Sequence, residues 1–128
     1  MRFYSLLFLL STWFSWSQVQ LVTPEEMQEI ILNQQIELID VRTVEEFNEQ
    51  HIEGAQNLIF DEDFEDKIKQ LDPSKTIVVY CQTANRSKVC SELLEKNGFQ
   101  KIIELKGGLD QWILEGKPTQ TNLENKEE

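Results

Sequence analysis

Apolar positions in this chain come in short runs, each followed by a polar stretch that carries stop or start signals. Residues 18–22 alternate and predict a short first strand. Thr23-Pro24-Glu25-Glu26 then shows a helix start: a hydroxyl cap, proline at the first helical position and glutamate at the third. That helix is expected to run to about Asn33. The run 36–41, IELIDV, predicts a second strand. Thr43-Val44-Glu45-Glu46 is another capping box and opens a short helix ending near Gln50. Residues 51–55 read as a loop and 57–59 as a brief strand. Residues 61–71 begin acidic and carry Lys67 and Lys69 late, the charge order that suits a helix dipole. Asp72-Pro73-Ser74 stops that helix. Residues 76–80, TIVVY, are apolar without alternation, the pattern of a parallel strand buried on both faces. A polar loop over 81–86 leads into a helix from about Ser87 to Asn97, with Gly98 as its stop. Residues 101–105 predict another strand. Gly107-Gly108 turns into a last short helix carrying Trp112, and Gly116-Lys117-Pro118 ends it.

Strands that alternate with helices predict an α/β domain around a mainly parallel sheet. Ligands of such sheets sit beyond the carboxyl ends of the strands. That places the interest on the loop after Tyr80.

Composition narrows the choice of function. The 128 residues fit one domain with a modest core. Twelve basic side chains against 23 acidic ones give a net charge of −11. With no basic face, binding nucleic acid by neutralising phosphates is excluded, and polybasic attachment to a membrane is disfavoured. Two cysteines are too few for a disulfide framework or a cysteine-based zinc site. One histidine excludes a His-rich metal site and leaves a Ser-His-Asp triad a single possible base. The aromatic residues are unevenly spread, with six of 12 in residues 1–17 beside a single charge, Arg2. Arg2, an apolar run over 3–10 and then Ser15-Trp16-Ser17 have the anatomy of a secretory signal cleaved before Gln18. The apolar run is shorter than the ~20 residues of a spanning helix. The expected product is exported, periplasmic and without a stable membrane span after cleavage. Losing Arg2 takes its net charge from −11 to −12. The expected division is a signal peptide over 1–17, one domain over 18–118 and a disordered polar tail over 119–128.

The candidate site is Cys81-Gln82-Thr83-Ala84-Asn85-Arg86-Ser87. A strand, a short loop and a helix start can turn successive backbone N–H groups inward, where the helix adds its own free N–H groups and positive dipole end. Such a cradle holds an anion and favours the thiolate, the reactive form of cysteine. Arg86 adds a permanent positive charge suited to holding an oxyanion or tying down the loop. The plainer alternative makes Cys81 a small buried residue at a strand end. The polar loop, the arginine and the helix start count against it. Asp40 and Arg42 end a strand on the same rim. Asp40 is expected to pair with Arg86 and fix the loop, with a local ion pair or helix cap as the alternative. His51 is expected to hydrogen-bond a turn. Cys90, at helical spacing from Leu93 and Leu94, reads as a buried core thiol, too far along a helix for a disulfide with Cys81. Trp112 reads as a core anchor, and the acidic run 61–66 as a solvated helix start.

Asp40-Val41-Arg42, Glu45-Glu46-Phe47, His51-Ile52-Glu53-Gly54-Ala55 and Asn57 resemble the N-terminal signature of the rhodanese family. Tyr80-Cys81 through Arg86-Ser87 resembles its active-site loop, and Gly107-Gly108 with Trp112 its C-terminal signature. The resemblance runs in order from Thr23 to Pro118. It implies a three-layer α/β fold with a central, mainly parallel five-stranded sheet flanked by helices. It implies sulfur transfer with Cys81 as the carrier, from a donor such as thiosulfate or a persulfide to cyanide or a thiol, including one on a partner protein. Gln82, Thr83, Ala84, Asn85, Arg86 and Ser87 would build the cradle, Asp40 and Arg42 would support it, and neither cofactor nor metal is implied. Four residues separate Cys81 from Arg86, against five in the cysteine phosphatases, so the smaller cradle suits sulfur better than phosphate. The family usually has glycine where Ala84 stands, so the loop is expected to be shaped differently or slightly strained. Donor preference in the family follows loop charge. With only Arg86 in the loop and Lys88 just after it, the thiosulfate dianion is expected to be a poor donor. A rival of another class is a binding or redox-sensing module of the same fold with negligible turnover. The intact Cys81 and Arg86 argue against it.

Overall fold

The computed structural model describes residues 19–123. The expected signal peptide, its cleavage point before Gln18 and residues 124–128 of the tail lie outside the described residues. In chain order the elements are β1 (Val19–Val22), α1 (Pro24–Asn33), β2 (Ile36–Asp40), α2 (Val44–Glu49), β3 (His51–Ile52), β4 (Gln56–Asn57), α3 (Phe64–Ile68), β5 (Thr76–Tyr80), α4 (Asn85–Lys96), β6 (Ile102–Leu105), α5 (Gly108–Leu114) and β7 (Thr119–Gln120). Among the described residues no helix is long and apolar enough to cross a membrane.

Local chemistry accounts for where the first two helices begin. Thr23 Oγ1 accepts from the Glu26 N–H at 3.2 Å, and Pro24 occupies the first turn of α1. At α2 both halves of the capping box form: Thr43 Oγ1 accepts from Glu46 N–H and Glu46 Oε1 accepts from Thr43 N–H, each at 3.2 Å. α3 is shorter than the acidic run suggested. Asp61 spends its carboxylate on a turn, accepting from the Asp63 N–H at 3.0 Å, and the helix starts only at Phe64.

Five parallel strands form one sheet in the order β1-β6-β5-β2-β4, the α/β architecture expected. Both faces are covered, which explains the unbroken apolar runs. On one face Ile39, Ile77, Val79 and Ile102 pack with Phe64 and Ile68 of α3 and Cys90 and Leu94 of α4. On the other, Leu38, Val78, Tyr80 and Ile103 pack with Met27 of α1 and Leu109 and Trp112 of α5. The pairings Asp40↔Tyr80 and Val22↔Leu105 level the carboxyl ends of the strands, so the chain leaves β2 and β5 side by side.

Two expectations are corrected. Residues 51–55 are not simply a loop, because His51–Ile52 forms β3. Thr119–Gln120, expected to open a disordered tail, is β7 and pairs antiparallel with β3. Side-chain anchors make this short pairing persist: Gln50 Nε2 donates to Thr119 Oγ1 at 2.9 Å, and Thr121 Oγ1 donates to the Asn48 carbonyl at 3.1 Å. Those partners lie about 70 residues away in sequence, so no local pattern announces them.

Candidate active site

Cys81 leaves the carboxyl end of β5 and is 1% exposed. Its Sγ accepts the backbone N–H of Ala84 at 3.1 Å and that of Ser87 at 3.4 Å. Its thiol donates to Ser87 Oγ over 3.5 Å. α4 begins at Asn85, so the amides of Asn85 and Arg86 also belong to a first helical turn with no partner inside the helix. The sulfur thus sits at the positive end of a 12-residue helix dipole, a place that stabilises negative charge. The turn requires φ +93° at Ala84, the one non-glycine residue with positive φ among those described. A positive φ strains an L-residue, as foreseen for that alanine.

The side chains of the loop divide their work. Thr83 and Asn85 are exposed. Gln82 points back into the protein: its Oε1 accepts from Arg42 Nη1 at 2.8 Å, and its Nε2 donates to Asp110 Oδ1. Arg42 is buried, and it also donates to the Gln50 carbonyl at 2.6 Å and to the Asp40 carboxylate at 2.8 Å. One guanidinium therefore joins the ends of β2 and α2 to the loop. Asp40 is fully buried and holds this arginine in place.

The expected pair between Asp40 and Arg86 does not form. Asp40 is taken by Arg42, two residues on, and Arg86 forms a two-pronged ion pair with Glu46, Nη1 to Oε1 at 2.8 Å and Nη2 to Oε2 at 2.9 Å. The Arg86 hydrogen bonds, with others from Thr43, hold the Glu46 carboxyl at about 2, well below its usual 4.5. Glu46 was missed because the capping box already gave it a complete local role.

α5 closes the site from the far side. The Leu109 N–H donates to the Cys81 carbonyl at 2.8 Å, and the Asp110 N–H to the Gln82 carbonyl at 3.1 Å. A Cβ at Gly108 would stand 2.6 Å from both carbonyl oxygens. Only glycine permits this approach, and the Gly107-Gly108 pair was its signal in sequence.

The remaining candidates take structural positions. His51 Nδ1 lies 2.7 Å from the Phe47 carbonyl, and its ring stacks on Phe47. Cys90 is buried, both cysteines are free thiols, and burial pushes the Cys90 thiol up to about 12. Trp112 is buried and donates its indole N–H to the Pro118 carbonyl at 2.9 Å. Glu104 was also missed. It is a lone acid in the apolar strand β6, 6% exposed, and it faces α4 beneath the cradle. Its signal was the charge inside IIEL.

A family model described as Rhodanese-like domain matches residues 23–115. An uncharacterized protein of Synechocystis sp. is 35% identical over 105 residues, which is 77% of this chain and 54% of that protein. The chain therefore spans about half the length of that relative. The thiosulfate sulfurtransferase GlpE of Actinobacillus pleuropneumoniae is 26% identical over 100 residues, 78% of this chain and 92% of the enzyme. A rhodanese-related protein of Thermoplasma volcanium superposes with a TM-score of 0.71 at 28% identity, covering 79% of this chain and 97% of that one.

Proposed function

The chain belongs to the rhodanese-like family, and on that premise we propose that it is a sulfurtransferase working through a persulfide on Cys81. The observation that carries this reading is the pair of backbone N–H groups aimed at Sγ from Ala84 and Ser87, at the start of α4. They favour an anionic sulfur without a histidine or a metal. Sγ, as thiolate, attacks the terminal sulfur of a donor. A new S–S bond forms as the donor's own S–S bond breaks, and the bonding pair leaves with the donor as a thiolate (or as sulfite, from thiosulfate). An acceptor thiolate or cyanide then attacks the outer sulfur, and Cys81 departs as thiolate.

Charge argues for a persulfide donor over thiosulfate. Arg42 is neutralised by Asp40, Arg86 by Glu46, and Asp110 adds an acid at the rim. A dianion meets no uncommitted arginine there. A neutral persulfide, or one on a partner protein, enters with less repulsion. The acidic chain acts after export, on this reading, with residues 1–17 removed.

Turnover with a persulfide donor and a thiol acceptor tests the reading. Cys81→Ser is expected to reduce transfer to the uncatalysed rate while leaving the fold intact. Transfer that survives this change would remove Cys81 from the mechanism. Transfer absent from the wild-type protein with every sulfane donor would favour a binding module.

A further inference from the structure

From Cys81 a buried chain of polar groups runs beneath the cradle, and sulfur transfer as described does not use its hydroxyls or its carboxylate. Cys81 S–H faces Ser87 Oγ at 3.5 Å, and Ser87 Oγ lies 3.1 Å from Glu104 Oε1. The second carboxylate oxygen, Oε2, accepts from Ser91 Oγ at 3.3 Å. Cys81, Ser87, Ser91 and Glu104 are all buried. A serine hydroxyl has one proton to give. For Ser87 the acceptors within reach are Glu104, the Ala84 carbonyl at 3.2 Å and, once ionised, the sulfur itself.

We propose that Glu104 is a positioning residue that shares one proton with Cys81 through the Ser87 hydroxyl. In one arrangement Cys81 is a thiol, Ser87 donates to Glu104, and the carboxylate carries the charge. In the other, the Cys81 proton passes to Ser87 Oγ as the Ser87 proton passes to Glu104. Cys81 is then a thiolate that accepts from Ser87, and the neutral Glu104 acid donates to Ser87. No S–S or C–S bond changes, no electrons are exchanged, and the buried charge is −1 in both arrangements. That conservation is what makes the exchange inexpensive: creating a second buried charge is costly, while moving one over two hydrogen bonds is not. Ser91 keeps the Glu104 carboxyl group aligned in both.

The surroundings fit a shared proton. Burial raises the Glu104 carboxyl above its ordinary value, while bonds from Ser87 and Ser91 pull the other way. Lys88 and Glu92 of α4 act on it with opposite signs. Cys90 of α4 feels the charges of both Cys81 and Glu104, and the Arg86 guanidinium feels that of Cys81. In the sheet Glu104 stands between Leu21 of β1 and Val79 of β5, neither of which titrates.

The sharing concerns the same thiol as the proposed function and depends on that function only for its use in turnover, so its test does not require turnover. Carbon-13 shifts of the Cys81 Cβ and the Glu104 carboxyl carbon are followed against pH in the full chain. Both signals are expected to move in two steps at the same two pH values. In Glu104→Gln the Cys81 signal should move in one step. In Ser87→Ala, which retains the backbone N–H, the two groups should titrate separately. Separate single steps in the wild-type protein would overturn the inference whatever the variants do. So would shared steps that persist in Ser87→Ala, since coupling would then act through space. Persulfide formation without shared steps would sink this inference and leave the proposed function standing.

Discussion

Ala84 concentrates the residue-scale tension of the site. Its N–H makes the shorter of the two backbone bonds to the Cys81 sulfur, and its φ of +93° is the condition for that aim. An L-residue in the left-handed region is strained by about 1–2 kcal/mol, and glycine offsets part of any relief through its freer unfolded chain. Ala84→Gly is therefore expected to raise stability by about 0.5–1 kcal/mol in a denaturant titration. A loss of stability would show that the methyl group makes contacts worth more than the strain. Cys90 offers the complementary case. Its thiol is buried and pushed up to about 12, so at neutral pH it is protonated and poorly nucleophilic. Cys90→Ala should leave the yield of Cys81 persulfide unchanged, measured by intact mass. Both cysteines were legible in sequence, one by its place after a strand and the other by helical spacing. The side chain that holds Arg86 was not. Glu46 satisfied a local cap, and its second role depends on a residue 40 positions away.

At the scale of elements, the site is a junction where α2, α5 and the end of β2 clamp the loop that leads into α4. The sequence showed where α1, α2 and α5 begin, because caps and glycines act over a few residues. The contacts between elements were hidden, as the misassigned partner of Asp40 illustrates. Asp40 and Arg42 are close in both sequence and space, and that short link takes the carboxylate away from Arg86. Two consequences follow from the clamp. Gly108→Ala forces a Cβ to within 2.6 Å of the Cys81 and Gln82 carbonyl oxygens, so α5 must lift from the loop. A stability loss of at least about 2 kcal/mol and a matching drop in persulfide formation are expected. An alanine variant of native stability would contradict the close approach. The second consequence is a dependence on acid. Glu46 is held at about 2 in the folded protein, below its usual 4.5. Its pairing with Arg86 therefore stabilises fully above 4.5, and that contribution is lost as pH falls through about 2. The pair is about one-third exposed and screened, so the loss is about 1 kcal/mol or less. Stability of Glu46→Gln should fall less steeply than wild type over this window. Comparing the two slopes matters, because Asp61 and Asp72 also lie below their ordinary values and contribute to both.

For the whole molecule, periodicity conveyed the architecture more completely than the site. The apolar run at β5 announced a strand covered on both faces, and five parallel strands with helices on each side are present. The small β3–β7 pair escaped notice because two-residue strands have no period to detect. The chain as a whole carries a net charge of −11. Two backbone N–H groups at one helix start point at the Cys81 sulfur, while each arginine beside the loop is matched by its own carboxylate. Such a site should distinguish donors by charge, and Cys81 should still be the atom that carries the sulfur. Intact-mass measurement after incubation with a low-molecular-weight persulfide tests that claim most directly. The account predicts a gain of one sulfur atom that cyanide removes and that Cys81→Ser abolishes. An unchanged mass, or a gain that survives in Cys81→Ser, would contradict it.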